Sequence, residues 1–173
     1  MKLLLSASLT LFSCALLSQV ETRALTLEQL RRDATITPQT FARYFSNFRF
    51  VFRADVQTPE QFLAAEAGDC DDYSTLAAAE LAARGYQTRL ISVRMPDVVH
   101  VVCFVSEANG YLDYNKRGKG TGVVTCGPDL GSIAESVAKS FKSSWTSVSE
   151  FTYANGVKRL VSTTLPKDRL AAK

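Results

Sequence analysis

Between Thr26 and Leu81 the apolar residues recur every three or four positions, as on one face of a helix. After Gln87 they alternate or run together, as in strands. Thr26 caps a short predicted helix, Leu27 to Asp33. Thr37-Pro38, a cap residue followed by proline, opens a second, with Phe41, Tyr44, Phe45 and Phe48 at helical spacing. Phe48, Phe50 and Phe52 then alternate with Arg49, Val51 and Arg53, so a strand is expected to intervene, and the aromatic cluster is read as core. Thr58-Pro59-Glu60-Gln61 starts a third helix, with Gln61 at the capping-box position, ending at Gly68. Asp69 caps a fourth, which buries Tyr73, Leu76, Ala77 and Leu81 and stops at Gly85.

Three strands are expected next. Gln87 to Arg94 is the first, and Pro96-Asp97 turns the chain. Val98 to Val105 is apolar on both faces apart from His100, which marks a central strand. Asn109-Gly110 is a turn signal, after which Tyr111 to Tyr114 returns. Lys116 to Gly120 reads as a basic, flexible, solvated loop, without the strand–loop–helix frame of a phosphate loop. Gly122 to Cys126 adds a strand, and Leu130, Ile133, Ala134, Val137 and Phe141 form an amphipathic helix stripe. Ser147 to Tyr153 and Val157 to Thr164 flank Asn155-Gly156, a second hairpin signature.

The pattern leaves out the first residues. Lys2 is followed by the almost wholly apolar or small run Leu3 to Leu17, closed by Glu21, Thr22, Arg23 and Ala24. That is the layout of a secretory signal peptide over residues 1–24, and the run is short of the roughly 20 residues a spanning helix needs. The expected organisation is therefore a signal peptide, a single domain over residues 25–166 and a loose tail over 167–173. No integral membrane segment is expected in the mature chain, which is read as a periplasmic or secreted bacterial monomer. With 46% hydrophobic and 21% charged residues, disorder is not the theme. The net charge of +3 is spread among acids, with no basic stripe to neutralise a phosphate backbone, so nucleic acid is not the partner. Export leaves Cys70, Cys103 and Cys126. Cys103 and Cys126 either pair as a disulfide or stay as small buried hydrophobes.

Chemistry concentrates at Cys70 and His100. Cys70, in Gly68-Asp69-Cys70-Asp71-Asp72-Tyr73, falls in the first turn of the fourth helix, where the helix end favours a thiolate and backbone N–H groups can hold an oxyanion. Asp69, Asp71 and Asp72 oppose the thiolate, so a cationic partner is required. His100, the chain's single histidine, lies in an apolar run and needs partners for both ring nitrogens. A thiol and a carboxylate would satisfy it. Asp113 and Asn115 share one strand face beyond the turn, and turn length decides which of them meets His100. Asp113 is preferred. The three aspartates could instead hold Ca²⁺ through oxygens, or simply cap the helix.

Thr58-Pro59-Glu60, Gly68 to Tyr73, Leu81, Gly85-Tyr86, His100 and Tyr111-Leu112-Asp113 together resemble the transglutaminase-like superfamily, and are especially similar to its bacterial cysteine proteinases. The resemblance implies a papain-like α+β fold, with N-terminal helices and the nucleophile helix packed on an antiparallel sheet. It implies Cys70 as nucleophile, His100 as general base and Asp113 as orienting acid, acting on a peptide or protein substrate without a cofactor. Some exported members of that branch depend on calcium. An aromatic residue is usual before the Thr-Pro pair, and Val56 and Gln57 stand here instead, leaving Gln57 as the candidate oxyanion-hole side chain. Acyl transfer by the same triad, or a silent binding module on the same fold, are the alternatives.

Overall fold

Residues 24–166 are described by a computed structural model. The segment read as a signal peptide lies outside them except for Ala24, as do Cys14 and the tail from Lys167. The helices are α1 (Leu27–Arg32), α2 (Pro38–Tyr44), α3 (Pro59–Ala65), α4 (Cys70–Ala82) and α5 (Leu130–Ser140). The strands are β1 (Arg49–Phe50), β2 (Ala67–Gly68), β3 (Thr88–Arg94), β4 (Val99–Val105), β5 (Gly110–Leu112), β6 (Val123–Thr125), β7 (Ser147–Ala154) and β8 (Val157–Thr164). Helices thus pack with an antiparallel sheet in an α+β arrangement.

The helices begin where their caps dictate. Thr26, Thr37, Thr58 and Asp69 each close a capping box, and proline fills the first turn of α2 and α3. The six-stranded sheet has the order β6-β5-β4-β3-β7-β8, every neighbouring pair antiparallel. Alternation along β4 sorts its side chains between two cores. Cys103 and Val105 join Leu30, Phe41, Phe45, Phe62, Tyr73 and Leu81 beneath α1–α4. Val102 and Phe104 join Ile91, Val93, Tyr111 and the α5 residues Ile133 and Val137 on the opposite face. Ser74 Oγ donates to the Val101 carbonyl at 3.1 Å and pins α4 to the strand.

Several expectations change on folding. The third helix stops at Ala65, not Gly68, because Glu66 turns left-handed (φ 46°) and Ala67–Gly68 pairs in parallel with β1. The Arg49 N–H donates to Glu66 O and the Val51 N–H to Gly68 O, both at 2.9 Å. The aromatic cluster splits. Phe41, Phe45 and Phe48 are core, whereas Phe50 is 61% and Phe52 77% exposed. Asn109-Gly110 is not a two-residue hairpin turn. The strands are joined by a 3₁₀ turn over Ser106–Ala108 and a left-handed Asn109 (φ 46°), and Gly110 is already the first residue of β5. The glycine is needed there for clearance, since a Cβ would sit 2.4 Å from the Val124 carbonyl oxygen. Asn155-Gly156, with φ of 52° and 74°, is a true two-residue turn between β7 and β8.

The basic segment Lys116–Gly120 is not uniformly solvated. Arg117 Nε donates to Phe45 O at 2.8 Å, the same guanidinium reaches the carbonyls of Phe48 and Tyr114, and it lies 3.7 Å over the Tyr114 ring. It latches the segment onto the chain that leads into β1.

Candidate active site

Cys70 is the first residue of α4, and the residues around it fix its position. Asp69 Oδ1 accepts from the Asp71 N–H at 3.0 Å and Oδ2 from the Arg53 N–H at 2.9 Å. Asp72 reaches back. Its Oδ2 accepts from the Asp69 N–H at 3.0 Å and from Gln57 Nε2 at 2.9 Å, and its Oδ1 from the Gln57 N–H at 2.7 Å. Two of the three acids therefore clamp residues 53–57 against the start of α4. Gly68 makes this possible, because a Cβ there would stand 2.4 Å from Asp72 Oδ2.

This clamp settles two sequence alternatives. Gln57 Nε2 gives its hydrogens to Asp72 Oδ2 and to Ala67 O at 3.0 Å, so its amide is spent on structure and not free for an oxyanion. Asp69 and Asp72 are spent on backbone donors, and no group of three or more metal-ligating side chains converges among the described residues. Asp69 and Asp72 thus act as cap and clamp. Asp71 is the exception. Its Oδ1 is buried without a partner, and its pKa is raised by burial and by the Asp69 and Asp72 carboxylates, against the opposing charges of Lys158 and His100.

His100 is the second residue of β4 and is 4% exposed. Its Nε2 lies 2.8 Å from Asp113 Oδ1, and Asp113 is fully buried. A carboxylate only accepts, so Nε2 carries the hydrogen and Nδ1 is the nitrogen left for a second partner. The Cys70 side chain lies near enough to the same imidazole to act on its proton affinity. Burial alone would lower the His100 pKa, but the hydrogen bond to Asp113, the nearby Cys70 side chain and the charges of both outweigh it, raising the pKa to about 9. Phe141, just past α5, packs against the ring at 4.9 Å between centroids.

The sheet register explains why Asp113 rather than Asn115 takes this place. Cys103 pairs with Leu112 and Val105 with Gly110, so continuing the ladder sets Asn115 directly opposite His100 and Asp113 opposite Val102. But β5 ends at Leu112, and Tyr114–Lys116 coils into a 3₁₀ turn capped by Asp113, whose Oδ1 accepts the Asn115 N–H at 2.8 Å. Asp113 thus meets His100 on the diagonal, and Asn115 is exposed. The structure brings Cys70, His100 and Asp113 together and leaves Gln57 and Asn115 in supporting or peripheral positions.

Cys103 and Cys126 are free thiols. Cys103 packs under α4 and Cys126 on the α5 face, so the sheet lies between them. Burial pushes their pKa values to about 12 and about 11, with the Asp129 charge adding to the rise at Cys126. A cavity of about 690 Å³, lined by Cys126, Glu135, Lys139 and Trp145 among others, lies on the α5 face and contains none of Cys70, His100 and Asp113. Among the described residues no helix is long and apolar enough to cross a membrane.

A family model for the transglutaminase-like domain matches residues 22–114, a span that takes in Cys70, His100 and Asp113. No curated protein matches the chain. Since the matched segment covers more than half of its length, the chain belongs to the transglutaminase-like domain family.

Proposed function

We propose that the protein is an exported, monomeric cysteine hydrolase, akin to the bacterial transglutaminase-like cysteine proteinases, that cleaves a peptide or amide bond through a thioester on Cys70. The observation that carries this reading is the buried His100–Asp113 hydrogen bond, with the Cys70 side chain near enough to raise the proton affinity of the same imidazole. Asp113 holds Nε2–H and so keeps Nδ1 turned to the thiol. A raised pKa keeps the imidazole cationic at neutral pH, and a cation beside a thiolate stabilises it against the opposing carboxylates.

The Cys70 sulfur attacks the carbonyl carbon, and His100 passes its proton to the departing amine, leaving a thioester. Water then attacks the thioester with His100 as base, releasing the carboxylic acid and restoring the thiol. With Gln57 engaged elsewhere, the oxyanion falls to the backbone N–H of Cys70, one of the donors a helix leaves unsatisfied at its start. Acyl transfer uses the same groups with an amine in place of water, and the burial of His100 and Asp113 favours it as the second reading.

The test is turnover of a peptide amide library by the wild type and by Cys70→Ala, with and without hydroxylamine. Activity is expected in the wild type alone, and hydroxamate product would report the thioester on Cys70 that both readings share. Equal activity in Cys70→Ala would overturn the nucleophile assignment. A wild type that binds peptides without turnover would make the domain a silent binding module.

A further inference from the structure

Three exposed large apolar residues, Phe50, Phe52 and Val99, lie on segments that adjoin Cys70. The Val51 N–H is bonded to Gly68 O and the Arg53 N–H to Asp69 Oδ2, so the extended segment Phe50–Arg53 runs beside the two residues that precede Cys70. Phe50 and Phe52 alternate with the residues making those bonds. Phe50 also lies 6.4 Å, between ring centroids, from Tyr114, the neighbour of Asp113. Val99, 39% exposed, shares its strand face with Val101, a member of the cluster that Cys70 packs against.

Exposed phenyl rings lose the burial that Phe41, Phe45 and Phe48 enjoy a few residues earlier. Their segment is tied by hydrogen bonds to Gly68 and Asp69, so the rings stand on a support fixed to the two residues before the thiol. Arg49 and Arg53 flank them and are exposed too, which keeps the strip wet at its ends and apolar at its centre.

We propose, resting on the cysteine-nucleophile reading above, that Phe50, Phe52 and Val99 form an apolar rim that selects substrates bearing a large apolar side chain beside the carbonyl attacked by Cys70. Such a side chain covers the rim as the carbonyl reaches the sulfur, so the rim contributes only when the acyl group is engaged. An acidic or basic side chain there would lose more hydration against the rings than Arg49, Arg53 or the ring faces return.

The test compares acylation of the intact protein by N-acetyl amino-acid nitrophenyl esters of Leu, Phe, Asp and Lys, with Cys70→Ala as background. In each reaction the Cys70 sulfur bonds to the carbonyl carbon and nitrophenol leaves. Iodoacetamide, which carries no such side chain, reports the thiol itself. Leu and Phe esters are expected to react at least about tenfold faster than Asp and Lys esters. The double variant Phe50→Ser/Phe52→Ser should lose most of that preference while its iodoacetamide rate stays the same. Equal rates for the four esters in the wild type, or an undiminished preference in the double variant, would overturn the rim. No alkylation of Cys70 by iodoacetamide would instead overturn the nucleophile reading, and the rim with it.

Discussion

His100 sits between two partners, and its protonation is tied to folding through both. In the unfolded chain its pKa is the ordinary 6.5, and in the folded chain about 9. The folded state therefore binds the proton more tightly. The stability this group contributes is fully present below about pH 6.5 and is lost as pH rises through about 9. Thermal unfolding of the wild type should show its midpoint falling across that window, and His100→Gln should flatten the slope. Asp113→Asn removes the largest of the contributions that raise the pKa, so the window should contract toward pH 6.5 and any turnover should drop roughly 10²–10⁴-fold. A slope unchanged in both variants would mean that the imidazole does not feel Asp113.

At the scale of elements, two joints bear on where the site residues end up. The β5–β6 pairing brings the Val124 carbonyl to within 2.4 Å of where a Cβ on residue 110 would stand, and the obstacle is backbone that cannot swing away. Gly110→Ala should cost about 1–3 kcal/mol by urea unfolding, and should loosen the return of β5 toward Asp113. The second joint ties α1 to α4. Glu80, buried on α4, meets Arg31 Nε at 3.0 Å and Arg84 Nη1 at 3.2 Å, and Arg84 also donates to Leu30 O at 2.7 Å. Removing the acid strands a largely buried guanidinium, so Glu80→Ala should cost about 3 kcal/mol. A urea midpoint within error of the wild type would show that α1 is held by its apolar face alone.

The whole molecule is a sheet with helices on both sides, and that layering decides the cysteine chemistry. Cys103 faces α4 and Cys126 faces α5, so no side-chain rotation joins them. The thermal midpoint of the purified protein should be the same with and without dithiothreitol, and its mass should not change on reduction. A midpoint that falls on reduction would require a different strand pairing for β4 or β6.

The sequence by itself determined the local structure and the residue types of the site. Caps at Thr26, Thr37, Thr58 and Asp69 set the helix starts, because capping needs only residues a few positions apart. The run Val98 to Val105, apolar on both faces apart from His100, marked a central strand, and the lone polar His100 in it demanded partners for two nitrogens. What joins distant segments was decided only by the tertiary structure. The β1–β2 pair ended α3 early, and the fold committed Gln57 to Asp72, which the family resemblance, offering Gln57 for the oxyanion, did not anticipate. The 3₁₀ turn at Ser106–Ala108 shifted the β4–β5 register by two from the simple hairpin that would set Asp113 opposite His100. The early end of β5 then brought Asp113 back to the imidazole on the diagonal. Register is a property of two strands and the turn between them, so the residue type at Asp113 was legible in the sequence and its route to His100 was not.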